Sequence, residues 1–214
     1  MKRLALLFAL CLTPLLAFAQ SAAREVVEYA PVVPPVATST GEQAEVVELF
    51  WYGCPHCYRL EPYIERWLEH KPANVAYVRI PAIFSQPTWE LHAKLYYALE
   101  SLGQLERLHR PFFDALHAQR MKLNSEEQVV QWAADQGIDA AEFRAALGSF
   151  AVATKVNRAK QLTRRYGIDG VPALIVEGRY RTGPSMAGTY ANTMPVVDAL
   201  VQKSLEERAS GKSQ

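Results

Sequence analysis

Residues 45–53, EVVELFWYG, hold nine positions of β-branched, aliphatic and aromatic side chains broken only by Glu45 and Glu48 and closed by Gly53. A half-exposed strand alternates apolar and polar residues. This run does not, so it reads as a central strand covered on both faces. A helical stretch follows at once, from about Cys54 to His70, and NVAYVRI (74–80) is the next strand. Strand, one helical crossover and strand make a βαβ unit with a parallel pair. A chain with such a start is committed to an open sheet with helices packed on it.

From Pro87 to Tyr166 helical periodicity replaces strand patterns. TWELHAKLYYALESLG stops at Gly103. LERLHRPFFDALHAQR follows. SEEQVVQWAADQG opens on a Ser cap and stops at Gly137, and DAAEFRAALGSF opens with Asp139 and Glu142 in capping-box spacing. AVATKVNRAKQLTRRYG ends at Gly167. Strands then return: PALIVEG and RYRTG flank Gly178 as a hairpin, and a last helix runs from about Asn192 to Arg208. Upstream, REVVEY is a short β-like segment, taken as an edge strand, and the Pro-rich stretch after it cannot be regular helix. A β-α-β half and a β-β-α half around one sheet is the thioredoxin arrangement. The fold class is α/β, with residues 20–83 and 167–214 forming a discontinuous thioredoxin-like domain and residues 84–166 an inserted all-α block.

Residues 1–19 are set apart from the fold. Lys2 and Arg3 precede an apolar stretch, Leu4 to Phe18, and AFAQ offers a small-x-small cleavage site after Ala19. This is the pattern of a signal peptide. An uncleaved membrane anchor is the alternative, although fifteen apolar residues are marginal for a bilayer. A lipid anchor at Cys11 is disfavoured by the bulky Leu10 before it. Cleavage takes the 23 basic side chains to 21 against 22 acidic ones, a net charge of −1, which leaves no basic excess for binding nucleic acid. It also removes Cys11. Cys54 and Cys57 are then the sole cysteines of an exported chain, which is no structural disulfide framework. A bridge closing so short a loop restricts the unfolded chain little, so the pair is there for chemistry.

Cys54 ends a strand and opens a helix, where unpaired backbone N–H groups and the positive end of the helix dipole favour a thiolate. Cys57 lies one turn further in and less exposed, so Cys54 is the reacting sulfur and Cys57 its internal partner. Pro55 occupies a first-turn position where its missing N–H is harmless. His56, when protonated, stabilises the thiolate by charge and by hydrogen bonding. Both effects favour the dithiol over the disulfide, and a pair with a stabilised reduced form is an oxidant. Pro62 sits inside the helix and is expected to kink it. Glu61 falls on the cysteine-bearing face, and Glu48 interrupts the central strand beneath the helix. Each is a candidate proton carrier for Cys57, with a structurally paired or solvated acid as the alternative. His70, His92, His109 and His117 are scattered over helices and read as surface or packed histidines. One C-x-x-C supplies too few ligands for zinc. The aromatics of LYYAL, PFF and QWAA fall at helical spacing as core, with some expected to line a shallow apolar surface beside Cys54.

ELFWYGCPHCYRLEP, GVPALIVEGRYR and the all-α insertion together resemble the DsbA family of periplasmic thiol:disulfide oxidases, over nearly the whole mature chain. The Cys-Pro-His-Cys tetrad is the most specific element of that resemblance. The resemblance implies a cis bond at Val171–Pro172 opposite Cys54, with the backbone of residue 171 holding a substrate peptide in strand-like fashion. It implies buried acids at Glu48 and Glu61, with Arg79 a candidate for an accompanying basic residue. It further implies reduced, unfolded exported proteins as partners and a quinone-linked membrane oxidase of the DsbB type for reoxidation. No cofactor is needed beyond the Cys54–Cys57 disulfide, and no metal. Two rivals remain: a disulfide isomerase or reductase, commonly dimeric through an N-terminal segment, and a binding module using the tetrad as a soft-metal clip. Without such a segment the chain is expected to be monomeric.

Overall fold

The computed structural model describes residues 28–211. The expected signal peptide, Cys11 and residues 24–27 of the REVVEY segment lie outside the described residues. The elements, in order, are β1 (Ala30–Pro31), β2 (Ala44–Phe50), α1 (Pro55–His70), β3 (Val75–Pro81), α2 (Pro87–Ser101), α3 (Leu105–His117), α4 (Glu126–Asp135), α5 (Ala140–Leu147), α6 (Phe150–Arg165), β4 (Ala173–Val176), β5 (Tyr180–Thr182) and α7 (Tyr190–Ala209). They form one sheet in the order β1-β5-β4-β2-β3. β2 and β3 are parallel, and β4 runs antiparallel to β2, so the β2 run is central as its composition requires.

Every residue of β2 is buried, and its alternation divides two cores. Val47 and Leu49 join Phe50, Tyr52, Phe112, Phe113 and Trp132 in a core shared with the helical block. Ala44 and Val46 join Leu60, Ile64, Leu174, Val197 and Leu200 in a second core beneath α1 and α7. Burying a full aliphatic side chain contributes about 1.5–3 kcal/mol, so covering both faces of one strand anchors the sheet strongly. Helices α2–α6 come between β3 and β4 in the chain.

Three boundaries differ from expectation. The edge strand is only Ala30–Pro31; its second residue has no N–H to give, and the next ladder-like bond runs from the Val32 N–H to the Arg179 carbonyl at 2.7 Å. The central strand stops at Phe50 rather than Gly53. Its last carbonyl accepts from Ala82, and residues 51–53 turn so that the Cys54 N–H reaches the Trp51 carbonyl at 2.9 Å. A Cβ on Gly53 would overlap the edge of the Trp51 ring, so any other residue there requires that ring to move. The reciprocal capping box forms at α4, between Ser125 and Gln128, whereas α5 shows only the Asp139 half of its expected box. No helix among the described residues is long and apolar enough to cross a membrane.

Candidate active site

Cys54 is the N-cap of α1, with extended backbone (φ −88°, ψ 118°) and Pro55 as the first helical residue. The first turn carries no acidic side chain, so nothing offsets the positive helix end facing the sulfur. Cys54 is 8% exposed and Cys57 fully buried, as their order along the helix predicts. Both are free thiols, so the structure is that of the dithiol. The hydrogen bond from the Cys57 thiol is the largest influence on Cys54. Burial opposes it, and the backbone N–H groups of Cys57 and His56 and the charge of His56 add to it, bringing the Cys54 pKa down to about 6. Burial, the hydrogen bond to Cys54 and the Cys54 charge push Cys57 well above the ordinary thiol range. The sequence pointed to the helix end and His56; the structure adds the neighbouring thiol and ranks it first.

Across from Cys54 lies the loop before β4. The Val171–Pro172 bond is cis, and the Cys54 thiol donates to the Val171 carbonyl at 3.4 Å. The C-terminal end of β5 holds this loop from behind: a Cβ on Gly183 would sit 2.8 Å from the Pro172 carbonyl oxygen, so the backbones meet only because Gly183 has none. A groove of about 720 Å³ opens here, walled by His56, Val171, Pro172, Arg181, Met186 and Tyr190. The expectation that aromatics of the helical block line a surface beside Cys54 is not met for that groove. Tyr96, Tyr97, Phe112, Phe113 and Trp132 all point into the core.

The two glutamates meet around Arg79. Glu48 and Arg79 are register partners on the parallel strands β2 and β3, which sets Arg79 beside Glu48. Arg79 Nε donates to Glu48 Oε2 at 3.2 Å and Nη2 to Glu61 Oε2 at 3.0 Å. Tyr77 donates to Glu48 at 2.5 Å. Both carboxyls are fully buried, and burial raises both pKa values. For Glu48 the negative charge of Glu61 adds to the rise, against the lowering by Arg79. Glu48 Oε1 has no hydrogen-bond partner among the described residues. His109, read from the sequence as a surface or packed histidine, joins this cluster. Its Nε2 lies 3.4 Å from Glu61 Oε1 and its Nδ1 2.8 Å from the Tyr52 hydroxyl. Burial and the nearby Arg79 hold its pKa down at about 3, so the ring is neutral. A proton on Nε2 then satisfies both contacts, with Glu61 accepting and Tyr52 donating. His92 is buried, with Nε2 2.9 Å from the Leu123 carbonyl, and the half-buried His117 places Nε2 2.8 Å from the Tyr52 carbonyl. His56 is exposed, with Nδ1 2.6 Å from the hydroxyl of Tyr190, a residue the sequence did not single out and which opens α7 two residues before the expected start at Asn192.

A low-pKa cysteine at a helix start, a buried high-pKa partner one turn away and a facing Val-Pro loop on a five-stranded sheet define a thioredoxin-fold thiol:disulfide oxidoreductase. A family model described as the DSBA-like thioredoxin domain matches residues 75–194. The thiol:disulfide interchange protein DsbA of Pseudomonas aeruginosa is 40% identical over 86% of this chain and 86% of its own length. That of Azotobacter vinelandii is 39% identical over 82% of each. The crystal structure of Pseudomonas aeruginosa DsbA superposes with a TM-score of 0.79 at 39% identity, covering 87% of this chain and 95% of that one. The chain belongs to the DsbA family of thiol:disulfide interchange proteins, and it exchanges disulfides with substrate proteins.

Proposed function

We propose that the protein is a periplasmic dithiol oxidase that donates its Cys54–Cys57 disulfide to reduced, newly exported proteins. The observation that carries this direction is the opposite displacement of the two thiol pKa values, Cys54 down to about 6 and Cys57 far up. A thiolate stabilised at Cys54 favours the dithiol, and so favours giving the disulfide away. A substrate thiolate attacks Cys54 Sγ, the bond to Cys57 breaks, and Cys57 leaves and takes a proton. Glu48, with its raised pKa and an Oε1 that has no partner among the described residues, and Glu61 are the acids suited to exchange that proton. A second substrate thiolate attacks the substrate sulfur of the mixed disulfide and expels Cys54. The substrate loses two electrons and two protons, and the enzyme pair gains two electrons. During this sequence the backbone of Val171 and Pro172 holds the substrate segment beside Cys54, with His56 and Pro55 tuning the sulfur.

The reagent is the disulfide itself, with no other cofactor. Reoxidation falls to a quinone-linked membrane oxidase of the DsbB type, and the protein works as a monomer after loss of residues 1–19. Equilibration with reduced and oxidised glutathione tests the direction. An oxidase stays largely reduced in ratios that oxidise ordinary dithiols. A pair that becomes a disulfide in strongly reducing mixtures would sink the proposal.

A further inference from the structure

His56 is exposed, and an exposed imidazole in water is free to swing among rotamers. Here it does not hang free. Its Nδ1 lies 2.6 Å from the Tyr190 hydroxyl, and the two rings run nearly parallel, 17° apart with centroids at 6.4 Å. Tyr190 also lies along Tyr63 of α1, with centroids at 6.4 Å and planes 21° apart. Its backbone is fixed as the first residue of α7. Thr189 caps the helix by accepting from the Asn192 N–H at 3.0 Å, and Asn192 donates to the Ala187 carbonyl at 3.0 Å. Both His56 and Tyr190 wall the groove beside Val171.

We infer that Tyr190 is a positioning residue for the redox centre: it tethers His56 through Nδ1 and so sets how strongly His56 acts on Cys54. A phenol suits this task because it accepts from the imidazolium and donates to the neutral ring, so the tether survives either state. A substrate segment in the groove also touches Tyr190, and through it the residue beside the reactive sulfur. This inference rests on the oxidase reading for its sign.

The test is a cycle of four proteins: the natural chain, Tyr190→Phe, His56→Ser and the double variant. Cys54, Arg59 one turn along α1, Tyr63, and Asp169 and Arg181 of the groove are titratable or charged groups of the described residues near His56, and all stay constant across the cycle. Tyr190→Phe keeps the stacked ring and the Thr189 cap, and equal melting temperatures for Tyr190→Phe and the natural chain check that the fold is kept. The expected result is a shift of about three- to tenfold toward the enzyme disulfide in the glutathione equilibrium, the size of a lost ordinary hydrogen bond. The Cys54 thiolate absorbance profile moves to higher pH in parallel. In the His56→Ser background the same substitution changes neither. An unmoved equilibrium in Tyr190→Phe, or an equal shift with and without His56, overturns the inference. A natural chain that proves reducing refutes the oxidase reading instead, while the cycle still scores the link between the two residues. The ¹⁵N shift of His56 Nδ1 provides a second readout in the natural protein. It moves on Tyr190→Phe if the tether exists and stays put if it does not.

Discussion

At the scale of single residues, the active site is built on one asymmetry. Two thiols three positions apart are driven in opposite directions, and each is the main polar neighbour of the other. Removing Cys57 therefore matters more to Cys54 than removing His56 does. Cys57→Ala is expected to raise the Cys54 titration by about a unit or more, and His56→Ser by less. His56→Ser also makes the disulfide more stable. Ultraviolet absorbance of the thiolate measures both variants, and the reverse ranking would show that the thiol hydrogen bond is not the leading influence. The acids give a second test. Glu48 and Glu61 are held above the ordinary value of 4.5, so the folded chain binds their protons more tightly than the unfolded chain does. Stability is then fullest below about pH 4.5 and falls as pH rises through the folded values, by about 1.4 kcal/mol per unit of upward shift. Glu48→Gln keeps the Glu61 partner of Arg79 and should flatten this fall between pH 4.5 and 7 in urea titrations; an equal or steeper fall counts against it. The tetrad, Glu48 and Glu61 were readable from the sequence because they sit within fourteen positions of one another on a strand and the helix after it. Tyr190, 134 positions from His56, and His109, 48 positions from Glu61, were not, since only the closed fold brings them together.

At the scale of elements, periodicity located the helices and strands well, because each has one buried face or two. Their ends were set by particular atoms instead. β2 stops where the Ala82 N–H takes the Phe50 carbonyl, a bond that hydrophobicity does not encode. The reach of Pro31 decides β1, and Gln128 rather than Glu142 completes a capping box. The hairpin was legible from Gly178, and both Glu177 (φ 55°) and Gly178 (φ 60°) take the left-handed conformation within the three-residue link between the paired Val176 and Tyr180. Gly183 carries a different demand. Its backbone touches the Pro172 carbonyl, so Gly183→Ala must push the β5 end and the facing loop apart. The expected cost is about 1–3 kcal/mol in stability, as for overpacking elsewhere, with slower oxidation of a reduced substrate. Stopped-flow rates and denaturant midpoints measure the two effects. A variant with natural rates would mean the loop position tolerates that displacement.

At the scale of the molecule, redox state and stability are linked through Cys54. Its pKa of about 6, against an ordinary 9, stabilises the folded dithiol once pH exceeds 6, increasingly up to 9, and the contribution is lost as pH falls through 6. The disulfide form has no such group. The dithiol form should therefore unfold at higher urea than the disulfide form at pH 8, with the gap narrowing at pH 5; a gap independent of pH would detach the thiolate from stability. The helical block belongs to the same unit, since its aromatics share a core with the sheet. It also reaches the reactive turn itself. Two histidines of α3 meet Tyr52, His109 at the hydroxyl and His117 at the carbonyl, two residues before Cys54. The turn that presents the sulfur is thus gripped by a segment inserted between the halves of the fold, while the facing Val171 is carried by the sheet. A block transplanted from another protein would restore the apolar cover yet drop that grip, so the insertion is not an interchangeable part of the scaffold but one jaw of the active site.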